Sequence, residues 1–373
     1  MPAAPPGPSR RGLLSGAVLL AAAAGCGPVA EPVAEPAGDA VGDAAGPYPE
    51  RPGRQAGVTT PQPDSLLLAA YDLAPGVAGP EGAGRLRELL ARWPGGPPVI
   101  GATATVGIGP ALPGRLGLRT PEGLAELPAF PGDRLDPARC GGDLVVQLCA
   151  PDVWTVVTAA AGFDRAVRGL LTVRWRRSGF QQPVARGETP RNLFGFKDGT
   201  VNPDPGERER WVWLTDGPDR DGTYLVVRQI RMLTEEFARL PGDRREAVVG
   251  RRLDSGAALG RSAEHEEPDL FAKAADGRYL LPADSHVRLA HSRLDGGARM
   301  LRRGYSYADG PEEQGLVFLA FMRDPALFVR VQERLAGADA MNAYLEHRGS
   351  AVFHILPGAL PGRPLGSALF GGP

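Results

Sequence analysis

Six segments between residues 65 and 177 alternate between the hydrophobic periodicities of strands and helices, and their order restricts the fold more than any other feature. Two amphipathic helices are predicted: residues 79–93, with apolar side chains three and four positions apart before Pro94, and a second helix capped by Asp152. Apolar or β-branched runs typical of buried strands occupy residues 65–73, 103–108, 144–149 and 171–177. The resulting order, β-α-β-β-α-β, is that of a ferredoxin-like domain.

The second half of the chain repeats this alternation in a weaker form. Helices are predicted from Thr234 and after Asp324-Pro325, because proline is well suited to the first turn of a helix. Strand-like segments are found at residues 211–214, 224–231, 287–290, 299–303 and 316–321. We therefore expect an α+β protein of two ferredoxin-like domains, residues 59–188 and 189–373, each an antiparallel sheet with helices packed on it.

Residues 1–26 have the features of an export signal. The basic pair Arg10 and Arg11 precedes an apolar run, residues 13–24, that is too short to anchor the chain across a bilayer. The arginine pair favours the twin-arginine route, which exports proteins that have already folded. An ordinary signal peptide with a chance arginine pair is the alternative. Both interpretations predict a location outside the cytoplasm, either extracellular or attached to the cell envelope.

Cys26 closes this signal in the sequence Ala23-Ala24-Gly25-Cys26, which is similar to a lipoprotein cleavage site. A lipid anchor on Cys26 is the favoured interpretation, and a simple signal with an unmodified cysteine is the alternative. Residues 27–58 consist mainly of Pro, Ala, Glu and Gly, which can bury little apolar surface. We expect them to form a disordered linker.

Charge and cysteine content limit the partners and the covalent links of the chain. Lys and Arg total 42 against 43 Asp and Glu, so a net charge of −1 gives no support to nucleic-acid binding. Two cysteines follow Cys26. Cys149 lies near the end of a predicted strand, where it is expected to pack as a small apolar side chain. A disulfide between Cys140 and Cys149, which export would permit, is the alternative.

Asp198 lies in a segment of unusual composition. Residues 192–203 read Asn-Leu-Phe-Gly-Phe-Lys-Asp-Gly-Thr-Val-Asn-Pro, which crowds two aromatic rings and several turn-forming residues around one carboxylate. Asp198-Gly199 is a turn signal, so a surface hairpin turn is one interpretation. The other is a carboxylate in a tight, partly apolar pocket that tunes its affinity for a proton. The pattern alone leaves the two interpretations equally open.

The same segment resembles a known family. Gly195-Phe196-Lys197-Asp198-Gly199-Thr200 is similar to the Gly-x-x-Asp-Gly signature of the dye-decolorizing peroxidases. Further blocks similar to that family occur in the family's order at residues 141–144, 250–257, 285–290, 300–307 and 349–353. The resemblance therefore covers residues 58–373, and several blocks in register make it far more specific than one short motif.

The resemblance implies a fold, a cofactor and a reaction. The family implies two ferredoxin-like domains and one haem b per chain, bound without a covalent link in the C-terminal domain. The chain has no Cys-x-x-Cys-His sequence, which excludes haem attached through thioethers. Hydrogen peroxide is the expected oxidant, and dyes, phenols or metal ions are the expected electron donors. Two alternatives remain: a deferrochelatase-like protein that takes iron from haem, and a haem-binding carrier without turnover. A homo-oligomer is compatible with either.

Three residues of the family blocks are expected to carry the chemistry. The resemblance makes His286 the axial ligand of the haem iron, Asp198 the distal acid and Arg302 the distal arginine. A peroxidase iron needs a neutral imidazole, whose second nitrogen should donate to a buried acceptor. Asp198 can move a proton between the two peroxide oxygens. Arg302 can stabilise the negative charge on the departing oxygen. Arg302 and Arg303 should lie on opposite faces of a strand, so only one of them can reach the haem.

Further residues are expected to contact the cofactor. Arg251 and Arg288 are candidates for binding haem propionates, although surface salt bridges are equally compatible with them. His291 competes with His286 as iron ligand, but on one extended strand the two would face opposite sides, which leaves His291 at the haem edge or in solvent. The other predicted cofactor contacts are Lys197, Gly199, Thr200 and Val201 in the Asp198 block and the apolar Leu316, Phe318 and Phe321.

Overall fold

The computed structural model describes residues 51–93, 101–185 and 187–371, which belong to one compact unit. The predicted export signal, Cys26 and most of the predicted linker lie outside these ranges. For its last residues, 51–58, the prediction of disorder is wrong, because Val58 is fully buried and Gln55 donates hydrogen bonds to the carbonyls of Val106 and Leu356. No helix within them is long and apolar enough to cross a membrane.

The first half of the described chain forms one antiparallel sheet with the strand order β2-β3-β1-β4. The four strands are β1 (Ser65–Leu73), β2 (Thr103–Ile108), β3 (Leu144–Ala150) and β4 (Leu171–Phe180). The helices of this half are α1 (Gly79–Ala91), α2 (Ala111–Leu116) and α3 (Val153–Ala166). Asp152 caps α3 by accepting a hydrogen bond from the Thr155 N–H at 2.8 Å, as its position predicted. The ferredoxin-like order of this half is confirmed.

The second half builds a matching sheet, with the order β9-β5-β8-β7. Its strands are β5 (Thr223–Met232), β6 (Leu301–Arg302), β7 (Tyr305–Ala308), β8 (Gln314–Met322) and β9 (Leu345–Ile355), and the two-residue β6 also pairs with β8. Its helices are α4 (Pro205–Trp211), α5 (Thr234–Ala238), α6 (Gly242–Val249), α7 (His286–Leu289) and α8 (Ala326–Ala338). Two similar α+β halves are therefore present. The exact domain boundary at residues 188 and 189 stays a prediction.

The two sheets join at both edges and close into a ring. On one side Phe180 of β4 pairs with Ser306 of β7, and on the other Gly107 and Ile108 of β2 pair with β9. Apolar side chains from both sheets fill the interior of this ring. Because side chains alternate between the two faces of a strand, the opposite faces carry the helices and, in the second half, a cavity.

Two short predicted strands are wrong. Residues 211–214 were expected to be extended, but α4 reaches Trp211 because Asp204 and Glu207 form a capping box at its start. Residues 287–290 also form no strand, since they lie in and after the short helix α7. Both segments are only four residues long, and at that length local hydrogen bonding outweighs hydrophobic pattern.

Cys140 and Cys149 are both free thiols, so the disulfide alternative is wrong. Cys149 is fully buried on β3, in agreement with its expected role as a small apolar residue. Cys140 instead follows the 3₁₀ turn Pro137–Arg139, where its thiol contacts the carbonyl of Asp136.

His354 should make the fold sensitive to acid. The ring is fully buried against Tyr224, and neither of its nitrogens has a hydrogen-bond partner among the described residues. Burial lowers the pKa of His354 to about 4, which Asp219 opposes and Arg119 reinforces. The unfolded chain keeps the ordinary histidine pKa of about 6.5. The stability contributed by the neutral ring is therefore present above about pH 6.5 and is lost as the pH falls towards 4.

The variant His354→Phe tests this acid sensitivity. Phenylalanine keeps the ring contact with Tyr224 but cannot take up a proton. Between pH 7 and pH 4.5 the wild-type protein should lose about 2 kcal/mol more unfolding free energy than the variant. Urea unfolding followed by circular dichroism at the two pH values measures the difference. Equal losses in both proteins would contradict the assignment.

Candidate active site

A cavity opens on the outer face of the second sheet. Its floor is formed by outward-facing side chains of β5, β8 and β9, and α7, α8 and the loop that carries Asp198 complete its walls. Leu316 and Phe318 face the cavity, as predicted. Phe321 does not, because it lies an odd number of residues further along β8 and points into the ring interior. The prediction of Phe321 as a cofactor contact is therefore wrong.

Asp198 lies on the cavity wall within a loop that is fastened on both sides. Lys197 forms an ion pair with Glu264, and the Thr200 hydroxyl donates to the other carboxylate oxygen of Glu264 at 3.2 Å. Gly199 has a φ of 106°, a conformation that favours glycine. Among the described residues, the Asp198 carboxylate itself has no hydrogen-bond or ion-pair partner within contact distance. The loop is thus held by its neighbours while this carboxylate remains available to a ligand.

Aromatic packing supports the loop from behind. Phe194 stacks on Phe237 with ring centroids 4.1 Å apart, and Phe196 meets the same ring edge to face at 6.2 Å. Phe194 and Phe196 are buried and also line the cavity. Asp198 is therefore a carboxylate of a partly apolar cavity rather than of a surface hairpin turn.

Arg302 and Arg303 lie on opposite faces of the sheet, as expected. Arg302 lines the cavity, and its buried Nε has no hydrogen-bond partner among the described residues. Arg303 is buried on the other face, where it donates to the carbonyl of Thr60. A guanidinium that lines a cavity is suited to bind an anionic or polar ligand there.

Asn202 connects the Asp198 loop to the strand of Arg302. Its side-chain oxygen accepts a hydrogen bond from the Arg302 N–H at 2.9 Å, and its side-chain nitrogen donates to the Arg302 carbonyl at 2.8 Å. The amide thus pairs with the main chain of β6 as a neighbouring strand would. These two bonds fix the backbone of Arg302 relative to a loop residue four positions after Asp198.

His286 is oriented by a buried carboxylate. Its Nδ1 lies 2.6 Å from Oδ2 of Asp339, whose side chain is 2% exposed and whose other oxygen accepts from the Met341 N–H. Burial alone would lower the pKa of His286, but the charge and hydrogen bond of Asp339 outweigh it and the pKa is raised. A third of the side chain is exposed where it lines the cavity. Because Nδ1 is engaged, Nε2 is the nitrogen left for a ligand.

His291 also lines the cavity, but both of its ring nitrogens are occupied. Nδ1 accepts a hydrogen bond from the Arg293 N–H at 3.2 Å, and Nε2 lies 3.2 Å from Oε1 of Glu267. The expected opposition of His286 and His291 across one strand is wrong, because α7 and a 3₁₀ turn (Ser292–Asp295) occupy this segment. Their different hydrogen bonding, and not strand geometry, distinguishes the two histidines.

Of the two arginines proposed for propionates, only one reaches the cavity. Arg251 lines it, with Nη1 donating to the carbonyls of Gly256 and Glu264. Burial and the nearby Arg302 lower the pKa of Arg251, and the charges of Glu264 and Glu267 offset this only in part. Arg288 is absent from the cavity lining, because it donates to the carbonyls of Leu270 and Leu281 and lies 4.3 Å from the Tyr279 ring.

The residues around the cavity fit a haem. Within the described ranges, His286 has one nitrogen fixed by a buried carboxylate and the other without a partner, the guanidinium of Arg302 lines the same cavity, and the remaining walls are largely apolar. A haem requires an imidazole for its iron, a polar group near the iron for the bound ligand, and apolar walls for its macrocycle. The predicted contacts Lys197, Gly199, Thr200 and Val201 all line the cavity.

Comparisons with known proteins decide the family. Residues 189–360 match the model of the C-terminal region of Dyp-type peroxidases, and residues 98–181 match that of the N-terminal region. The chain belongs to the Dyp-type peroxidase family. It is 39% identical over 366 residues to a dye-decolorizing peroxidase of Thermobifida fusca (strain YX), covering 85% of this chain and 84% of the relative.

The chain is also similar to a deferrochelatase and to a DyP-type peroxidase of known structure. A deferrochelatase of Yersinia pseudotuberculosis serotype I (strain IP32953) is 37% identical over 82% of this chain and 80% of its own length. A DyP-type peroxidase from Cellulomonas bogoriensis, known from its crystal structure, is 36% identical in sequence to this chain. The two structures superpose with a TM-score of 0.79, over 86% of this chain and 97% of that one.

Membership in the Dyp-type peroxidases confirms several expectations. The protein is a peroxidase, an oxidoreductase that uses hydrogen peroxide and an electron donor. Its cofactor is non-covalently bound haem b. The α+β fold with ferredoxin-like halves is likewise confirmed.

Four residues around the cavity of this Dyp-type peroxidase were not predicted. Asp339 and Glu264 are far from their partners in sequence, and only the fold brings them together. Asn202 lies two residues after the family-like block 195–200, and nothing in the sequence indicates its contact with Arg302. Arg299 lines the cavity 3.5 Å from Glu207 and is a better-placed cation than Arg288.

Proposed function

We propose that this chain is a haem b peroxidase in which His286 is the axial ligand and Asp198 and Arg302 act on hydrogen peroxide, with dyes, phenols or other small molecules as electron donors. One observation carries the proposal. A single cavity contains the Asp198 carboxylate, which has no partner among the described residues, the Arg302 guanidinium, and the His286 imidazole, which Asp339 fixes. When bound there, haem supplies the redox chemistry that couples peroxide to an electron donor.

Asp198 moves the proton. One peroxide oxygen must lose a proton and the other must gain one before the O–O bond breaks heterolytically. The carboxylate of Asp198 can do both, because no cation or hydrogen-bond donor of the described residues holds it. The ion pair of Glu264 with Lys197 and its hydrogen bond from Thr200 keep the loop in position while the proton moves.

Arg302 stabilises charge. Arginine remains protonated in proteins, so Arg302 serves as a fixed cation for the negative charge on the departing oxygen. Asn202 fixes its backbone through two hydrogen bonds, which reduces the reorganisation needed during the reaction.

The two alternatives differ in what they require of the cavity. A haem carrier needs neither a free carboxylate nor a free cation beside its ligand, so Asp198 and Arg302 favour turnover. Sequence similarity does not separate a peroxidase from a deferrochelatase, because relatives with both names are 35–39% identical to this chain. Release of iron-free porphyrin from the purified haem protein would favour the deferrochelatase.

Asp198→Asn and Arg302→Leu test the reaction. Both variants should retain haem, because neither residue is the proposed iron ligand. At least one should slow the response of the Soret band to peroxide by about tenfold to ten-thousandfold, since proton transfer or charge stabilisation is lost. Stopped-flow absorbance measures this rate. Wild-type rates in both variants would overturn the proposed roles.

His286→Ala and His291→Ala form a matched pair. His286→Ala should purify largely without haem, or with a shifted Soret band, because Nε2 of His286 is the free imidazole nitrogen. His291→Ala should keep a normal spectrum, since both nitrogens of His291 are engaged by Arg293 and Glu267. The reverse result would move the axial ligand to His291.

Export through the twin-arginine route is also part of the proposal. The pair Arg10 and Arg11 before a short apolar run supports it. Replacing both arginines with lysine should leave the precursor in the cytoplasm, as measured by cell fractionation and immunoblotting. Normal export of this variant would refute the route.

Lipidation of Cys26 has a separate test. Growth with a radioactive fatty acid should label the wild-type protein and leave Cys26→Ala unlabelled, which would place the enzyme on the cell envelope. An unlabelled wild-type protein would instead indicate a soluble secreted enzyme.

A further inference from the structure

A β-bulge directs His347 into the cavity. Along the pairing of β5 with β9, Gln229 lies opposite Gly349, but Ile230 lies opposite His347, so Arg348 is an extra residue in β9. On the C-terminal side of the bulge in β9, the odd-numbered Ala351 and Phe353 face the ring interior. On its N-terminal side, the odd-numbered Leu345 and His347 face the cavity instead. A regular strand would have turned His347 into the apolar interior.

The neighbour of His347 determines which ring nitrogen carries the proton. Nε of the buried Arg228 donates to Nδ1 of His347 at 3.4 Å. A guanidinium has no acceptor, so Nδ1 must be unprotonated. Burial and the charge of Arg228 lower the pKa of His347 to about 3, so the ring is neutral near pH 7. The proton of the neutral ring is therefore on Nε2.

This N–H has no protein acceptor among the described residues, although His347 lines the cavity. Arg228 is already satisfied, because its other nitrogens donate to Asp133 and to the Ser350 hydroxyl at 2.9 Å. The arrangement is a fixed neutral donor supported by a buried cation. It suits an anionic oxygen acceptor, since hydrogen bonds to charged groups are stronger than those between neutral groups.

We propose that Nε2 of His347 donates a hydrogen bond to a carboxylate of a ligand in the cavity, supplied either by a haem propionate or by an acidic organic electron donor. The inference rests on the proposed function only in taking haem and its donors as the ligands of this cavity. It requires nothing of Asp198, Arg302 or the peroxide reaction.

Two substitutions separate hydrogen bonding from shape. His347→Phe removes the donor and retains an aromatic ring, whereas His347→Gln offers an amide N–H at about the same distance from the backbone. In the first arm, the apo forms of wild type and both variants are titrated with haem b and with haem b dimethyl ester, whose propionates carry no charge. In the second, the haem-loaded enzymes oxidise syringic acid and its methyl ester.

If the carboxylate is a propionate, His347→Phe should raise the Kd for haem about ten- to hundredfold and leave the Kd for the dimethyl ester nearly unchanged. If it belongs to the electron donor, His347→Phe should raise the KM for syringic acid by a similar factor but not that for the ester. In either case His347→Gln should stay within a few fold of wild type.

The proposal is overturned if His347→Phe matches wild type in both arms, or if acid and ester are weakened equally, since the effect would then be one of shape. It is also overturned if His347→Gln behaves as His347→Phe does. The rate of the Soret response to peroxide, measured at saturating haem, reports separately on Asp198 and Arg302. A failure of the proposed peroxide mechanism would appear there and not in the titrations.

Discussion

The strict alternation of side chains in a closed ring of strands is the constraint on which this structure depends. Two antiparallel sheets join at both edges, and apolar side chains from both sheets fill the shared interior. No room for a large cofactor remains there, so the cavity lies on the opposite face of the second sheet. The same alternation directs Arg302 to the cavity and Arg303 to the interior. At His347 a single bulge reverses it.

The reactive groups are held from outside the sheet by polar side chains that the reaction does not consume. Asn202 fastens the Asp198 loop to the backbone of Arg302, Glu264 holds the residues flanking Asp198, and Asp339 orients His286. In the part of the chain that the structure describes, the Asp198 carboxylate and Nε2 of His286 are left without a protein partner. A preorganised site of this kind needs little rearrangement when a ligand enters, which is what stabilisation of developing charge requires.

Sequence reasoning succeeded where a segment is long and its burial continuous. The strands β1 and β2 were predicted to the residue, because eight of the nine positions of β1 and all six positions of β2 are buried. It failed at 211–214 and 287–290, because a pattern of four residues cannot distinguish a strand from a helical turn.

The site shows a similar division. Asp198, His286 and Arg302 were found because short local blocks resemble a family, and the fold brings all three to one cavity. Asp339 lies 53 residues after His286, so no local pattern could pair them. Phe321 was wrongly predicted to contact the cofactor, because its hydrophobicity was considered without asking which face of the strand it occupies. Arg288 was wrongly predicted to bind a propionate, because the sequence does not show that its guanidinium already donates to nearby carbonyls.

The central claim is that this cavity uses bound haem to turn over peroxide, and the absorption spectrum of the wild-type protein tests it most directly. The purified haem protein should change its Soret band within seconds of adding one equivalent of hydrogen peroxide. Addition of a phenolic donor should then restore the original spectrum, with the haem retained. A spectrum that does not respond to peroxide, or the appearance of free porphyrin in place of a reversible change, would contradict the account.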